Sequence, residues 1–317
     1  MSADSAAASP ALGTLSTRGV IHDRGYRHYD GPRLGRLQIV RALVWHSFRS
    51  AFGIGRGPKA KIVPIIAFVA MCLPAIVNAI SVAKGGAPVV DYGTYTFGLR
   101  VVVMTVFVAV AAPELVSRDL RSRVLPLYFS RPLRRGDYPL AKYVAFTLAC
   151  LAMIEVPLLL LYLGNIGSSH GGGGSPIWTQ TRELAGGLAV GLLWAVLLAA
   201  IGLALASLSG RRAYATGAVA IFFFLTWTLA TIVSQITGRT AGGLIAVNPP
   251  ASERLAGLLS PFSVVDGIRQ WLGGHHPAPG PIPGPGGYGV AYLVMFLVLL
   301  GASFAILATR YRKADLV

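Results

Sequence analysis

The sequence predicts an all-α integral membrane protein. Six transmembrane helices are expected, with an N-terminal interfacial helix, a short cytoplasmic helix between spans 2 and 3 and short extracellular helices between spans 5 and 6. Three observations predict it. The chain is 54% hydrophobic and 13% charged, with mean hydropathy +0.62, whereas soluble domains carry about 25% charge. Six apolar stretches approach the ~20 residues that cross a bilayer core. The basic residues gather on alternate sides of those stretches, as the positive-inside rule requires.

Residues 1–33 read as a polar cytoplasmic N-terminus. The first 20 are Ala/Ser-rich and lack the apolar core of a cleavable signal, so they are expected to stay in place, disordered. An interfacial amphipathic segment follows over 34–56. Its helix, over 34–54, places Leu37, Val40, Val44, Phe48 and Phe52 on one side at helical spacing. Arg36, His46 and Arg49 lie off that stripe, and Arg41 falls inside it, where it must snorkel or pair. With Trp45, these residues suit a helix lying in the membrane interface.

The membrane domain occupies 57–317. Its spans are predicted at about 62–82, 97–116, 143–164, 184–208, 214–236 and 288–309. Pro64 and Pro74 bend the first. An even number puts both termini on one side. With the N-terminus inside, the cytoplasmic segments hold 22 basic residues and the outer ones five. That split predicts a multi-pass protein with both termini cytoplasmic.

The stretch between spans 2 and 3 is the most patterned. Ser117–Lys142 holds seven basic residues and two acids. Asp119–Phe129 is expected to form about three helical turns, ended before Pro132. Glu114 is expected to pair with Arg118, Arg121 or Arg123 and so tie this helix to span 2. The apolar Val124, Leu125, Leu127 and Tyr128 suit burial against a soluble partner, and the arginines suit steering.

The outer loops differ in kind. Ser168–Ser175 is a flexible Gly/Ser spacer holding a solvated His170. In loop 237–287, Ser252–Leu259 and Ser263–Leu272 read as two helices with Ser252 and Ser263 as N-caps. Their apolar residues are expected to dip into the membrane or pack on the span tops. Pro277–Gly287 reads as a semi-rigid linker.

Several chemistries find no support. None of the five lysines stands in a Gly-Lys-Ser/Thr phosphate loop, and no His-Glu-x-x-His motif occurs, so no catalytic residue is assigned. Cys72 and Cys150 lie in apolar spans, and His275-His276 lacks further ligands, so neither disulfide nor metal site is expected. The basic charge follows the topology, so nucleic acid is not an expected partner. Glu155 is the one carboxylate in mid-membrane, two residues before Pro157. It reads either as a residue of a substrate cavity or as a packed, neutral or hydrogen-bonded glutamate beside the proline. Phe222, Phe223 and Trp227, with Phe224 and Trp194, either line a substrate path or pack the bundle. Arg100, near the outer end of span 2, is expected to snorkel.

Residues 113–143 resemble the permease subunit of ABC-2 type (type V) ABC exporters. That family has an acid at the end of span 2, a second acid soon after, a coupling helix, and Ser-x-Pro-x-x-Arg before a lysine that opens span 3. Glu114, Asp119, Ser130, Pro132, Arg135 and Lys142 stand in those places. Arg121-Ser122-Arg123-Val124-Leu125 replaces the family's usual Gly-Thr-Leu. The resemblance extends to the six-span plan, the interfacial helix and the outer helices. It implies an exporter subunit of the cell membrane that pairs with a second copy or a related permease. Two ABC ATPase subunits would dock on the coupling helices. ATP and Mg would bind on those partners and no cofactor on this chain, while spans 2 and 5 would line the path. Two other readings stay open from the residues: a secondary transporter or channel using Glu155, and a membrane anchor that recruits a cytoplasmic partner.

Overall fold

The computed structural model describes residues 31, 35–84, 90, 99–121, 133–134, 136–169, 177–238, 251–273 and 282–314. Among them there is no strand. The helices are α1 (Arg36–Ala51), α2 (Lys59–Ala83), α3 (Leu99–Arg121), α4 (Asp137–Ser169), α5 (Ile177–Leu208), α6 (Arg212–Gly238), α7 (Ala251–Ala256), α8 (Pro261–Gly273) and α9 (Gly289–Ala314). Single 3-10 turns follow α7 at Gly257–Leu259 and precede α9 at Gly286–Tyr288. Six helices, α2 to α6 and α9, are long and apolar enough to cross a membrane.

The helices run past the apolar stretches that announce them, because polar residues at their ends find partners inside the protein. α3 continues through Pro113 to Arg121, so Asp119 belongs to the span-2 helix itself. α4 starts at Asp137, whose carboxylate accepts the backbone N–H of Arg134 at 2.9 Å, a helix-start hydrogen bond. At the other end of α4 and at the start of α5, residues 165–169 and 177–182 are helical, which shortens the expected loop from both sides. His170, most of the Gly/Ser spacer, His275-His276 and residues 277–281 of the Pro-rich linker lie outside the described residues.

α5 is the axis of the bundle. It packs on α3, α4, α6, α8 and α9, and its lower half, from Trp194 to Ser207, is buried almost without interruption. Small residues permit this approach. A methyl group at Gly202 would meet Val108 Cγ1 at 2.5 Å, Phe146 Cε1 at 3.4 Å and Ala112 Cβ at 3.5 Å. Around α5, the core is completed by Met104, Phe107 and Ala112 of α3 and by Phe146, Ala149, Met153 and Ile154 of α4.

α1 is held by protein along one side. Leu43, Ser47 and Ala51 are buried, and Val40, Val44, Phe48 and Phe52 pack on the core. A chain of rings runs inward from it. Phe48 to Phe52 is 5.3 Å, Phe52 to Phe107 is 5.7 Å and Phe107 to Phe146 is 6.2 Å between centroids, within the range of favourable aromatic pairs. Leu37, Arg41 and Trp45 face outward. The outward stripe is thus shorter than the expected one, since Val40, Val44, Phe48 and Phe52 are used by α3 and α4.

The outside of the bundle is apolar. On α2, Ile62, Ile66, Val69, Leu73, Val77 and Ile80 are exposed, and α6 and α9 carry similar stripes. That surface suits a hydrocarbon solvent, in which backbone polar groups must be satisfied internally, as helices do. The outer helices start earlier than the serine pattern suggests. α7 begins at Ala251, so Ser252 is inside it, and α8 begins at Pro261, the favoured first position, so Ser263 is inside it too. α8 is buried from Pro261 to Ile268. Phe262 lies 5.0 Å from Trp194 of α5 and 5.4 Å from Phe223 of α6 between ring centroids, which is the expected packing of this segment onto the spans.

Candidate functional site

A cluster of charged residues gathers at the end of the bundle where α1 lies and where α3 and α5 finish and α4 and α6 begin. We name it the basal end. Its centre is Glu114. The turn joining α1 to α2 reads Gly53-Ile54-Gly55-Arg56-Gly57-Pro58, with φ of +71° at Gly53 and +88° at Gly55, values that favour glycine. A side chain at Gly53 would also strike the carbonyl oxygen of Ala60 at 2.5 Å. This tight turn delivers Arg56 to Glu114, to which it donates from Nη1, while Nη2 donates to Ser50 Oγ of α1 at 2.7 Å. The second oxygen of Glu114 is paired with Arg212, the first residue of α6.

Five residues on, Asp119 makes a second junction. It accepts the hydroxyl of Tyr138 and pairs with Lys142 at 2.8 Å, both on α4. Lys142 Nζ also stands 5.4 Å from the Tyr138 ring centroid. Arg36 of α1 donates to Asp137 from Nε at 2.7 Å and Nη2 at 2.5 Å. That hydrogen bond, against opposing desolvation, holds the Arg36 guanidinium above its ordinary value. Ser117 donates to the Ala206 carbonyl at 2.9 Å, and Arg310 of α9 donates to the Ser207 and Leu208 carbonyls at 3.0 and 3.3 Å. The last contact closes the C-terminus of α5, where a cation suits both the free carbonyls and the helix dipole.

The end of α3 is therefore fastened to the α1–α2 turn, to α4, to α5 and to α6. Glu114 and Asp119, singled out in the sequence, are the two acids that do it. Their partners differ from the expected ones, because Glu114 takes Arg56 and Arg212. Arg118 and Arg121 lie in the last turn of α3 by backbone position. Arg123, Val124, Leu125, Leu127 and Tyr128 lie outside the described residues. Sequence reasoning missed Arg56 and Arg212. The signal for Arg56 is the glycine-rich turn around it. The signal for Arg212 is a cation in the first turn of a helix, where the dipole disfavours it unless an acid is near.

A second set of charges lies inside the bundle. Glu155 sits midway along α4, and its carboxylate rests against α5 at Gly191, where a methyl group would collide with Oε1. Among the described residues neither oxygen has a hydrogen-bond partner. The Arg100 charge acts on it. Arg100 does not snorkel. It is buried, with its guanidinium 5.8 Å from the Trp194 ring centroid, a cation–π distance. Phe223 is buried on Phe262, while Phe222 and Trp227 are partly covered. Glu155 on α4 and these aromatics on α6 stand on helices that each pack on α3 and α5.

Comparison with known families gives a match over nearly the whole chain. The profile of the ABC-2 family transporter proteins fits residues 18–316. No curated protein matches the chain.

Proposed function

The chain belongs to the ABC-2 transporter family, and from that premise we propose that it is the permease subunit of an ATP-driven exporter. It works in the cell membrane with both termini in the cytoplasm, so that the basal end faces inward. The 22:5 distribution of basic residues supports that orientation. Two such subunits, identical or related, form the path, and each docks a separate ATPase chain that binds ATP and Mg. The segment from Asp119 to Phe129 is the docking element.

The observation that carries this reading is the fastening of α3 at Glu114 and Asp119. Force applied just beyond Arg121 enters α3 and passes through ion pairs to the α1–α2 turn, α4 and α6 and through the Ser117 hydrogen bond to α5. A loop serving only to anchor a partner needs no such connection to four other elements. Substrate passes beside α3 and α6, with Glu155 and Phe222, Phe223 and Trp227 as candidate contacts.

The test is Leu125→Asp. The substitution places a charge in the proposed apolar contact, where an unpaired buried charge is costly, and leaves most attraction to anionic lipid intact. The variant is expected to reach the membrane yet lose the co-purifying ATPase and its substrate-stimulated hydrolysis. Undiminished recovery of the ATPase would remove the coupling role from this position.

A further inference from the structure

Two arginines share Glu114, and their surroundings are unlike. The Glu114 side chain is 9% exposed, that of Arg56 17% and that of Arg212 59%. Arg56 has a second anchor in Ser50. Arg212 opens α6 beside Arg211, whose guanidinium lies over Tyr214 at 5.8 Å. Two adjacent cations at a helix N-terminus oppose the helix dipole, so the start of α6 owes part of its position to the Glu114 carboxylate. The two guanidiniums also repel each other across the one acid. The more solvated, singly anchored Arg212 is the weaker of the two, because exposed ion pairs contribute little and are screened by salt.

We infer that Arg56 and Arg212 are positioning residues with different duties. Arg56 holds α3 permanently to the α1–α2 turn. Arg212 is a releasable tie that keeps the start of α6 against the end of α3 and lets it go when α3 moves. The ion pairs stand on the geometry alone; the purpose of the release rests on the permease reading. In that reading, α3 and α6 part at their inner ends while α3 and α1 travel as one piece.

The experiment uses the full chain in lipid nanodiscs, with Cys72 and Cys150 replaced by alanine and spin labels at Ile54→Cys and Tyr214→Cys. Both sites are exposed and lie beside the Arg56 and Arg212 arms. Pulsed dipolar spectroscopy then reads the spread between the arms. Arg212→Gln should raise the long-distance population about fivefold, the effect of losing a tie at the upper end of the exposed range. Arg212→Lys should stay near the unsubstituted chain. Half-molar KCl should lengthen the distances in the unsubstituted chain and leave Arg212→Gln unchanged, which a packing role does not explain. Arg56→Gln should lower thermal stability without widening the gap. An unchanged distribution in Arg212→Gln, or an effect that salt does not mimic, overturns the inference. No ATPase or nucleotide is present, so a widened gap together with undiminished ATPase recovery in the Leu125→Asp test would leave the tie standing and remove only its purpose.

Discussion

Removing Asp119 should destabilise the protein more than removing its partner Lys142, although the two form one ion pair. The Lys142 side chain is 7% exposed and that of Asp119 19%. Stranding one member of a fully buried pair costs about 3–5 kcal/mol. Asp119→Asn strands an ammonium with almost no water. The Tyr138 ring at 5.4 Å offsets about 0.5–1 kcal/mol of that, leaving a loss of about 2–4 kcal/mol. Lys142→Met strands a carboxylate that keeps the Tyr138 hydroxyl, a charged hydrogen bond of about 1.5–3 kcal/mol, and some water. Its loss should be about 1–2 kcal/mol. The double variant strands neither charge, so its loss should fall below the sum of the two by about 1–2 kcal/mol. Titration of the purified chain with SDS in mixed micelles, followed by Trp fluorescence, gives the four free energies. A larger loss for Lys142→Met than for Asp119→Asn, or strict additivity, would refute the reasoning from burial.

Glu155→Gln keeps size and hydrogen bonding while removing a charge, and should slow export in a transport assay with little effect on the amount of folded protein; export at the unsubstituted rate would assign Glu155 a packing role. Gly202→Ala should destabilise by about 1–3 kcal/mol through overpacking against Val108. Gly301→Ala, with nothing within 4 Å of the new methyl, should stabilise by about 0.5–1 kcal/mol, and equal heat resistance of the two would contradict the central place of α5. Cysteines at Ser169 and Gly280 should react with impermeant thiol reagents on intact cells and one at Arg212 should not, and labelling at Arg212 would reverse the proposed orientation.

Hydropathy was enough to find the six spans, because each must satisfy the same solvent. Their ends were harder to read. α4 begins six residues before its predicted start because Asp137, Tyr138 and Lys142 are satisfied by Arg36 and Asp119, and no local pattern announces partners so distant. For the same reason Glu114 was recognisable as a special acid while its partners were not, Arg56 being 58 residues away. Arg100 shows the opposite failure. Its place near a helix end suggested water as the destination of the side chain, but α5 supplies Trp194 at the right height, and the cation turns inward. Ser252 and Ser263 misled as caps because α7 and α8 each start earlier, α8 at a proline.

The central place of α5 also bears on how the protein is made. α3 and α4 leave the ribosome before it, and both pack on it in the finished bundle. Until α5 has been synthesised and inserted, Arg100 has no Trp194 and Glu155 no Gly191 to lie against. A charged Glu155 at mid-membrane would weigh about 2.5–3.5 kcal/mol against insertion, so during that interval α4 depends on its remaining apolar residues, on its neighbours or on the insertion machinery. α9 arrives last, and Arg310 then closes the exposed carbonyls of α5. Truncated chains ending before Ile177 should therefore be recognised by quality-control proteases as incomplete, and chains ending after Leu208 should be more resistant, so that maturation proceeds by the late arrival of one helix.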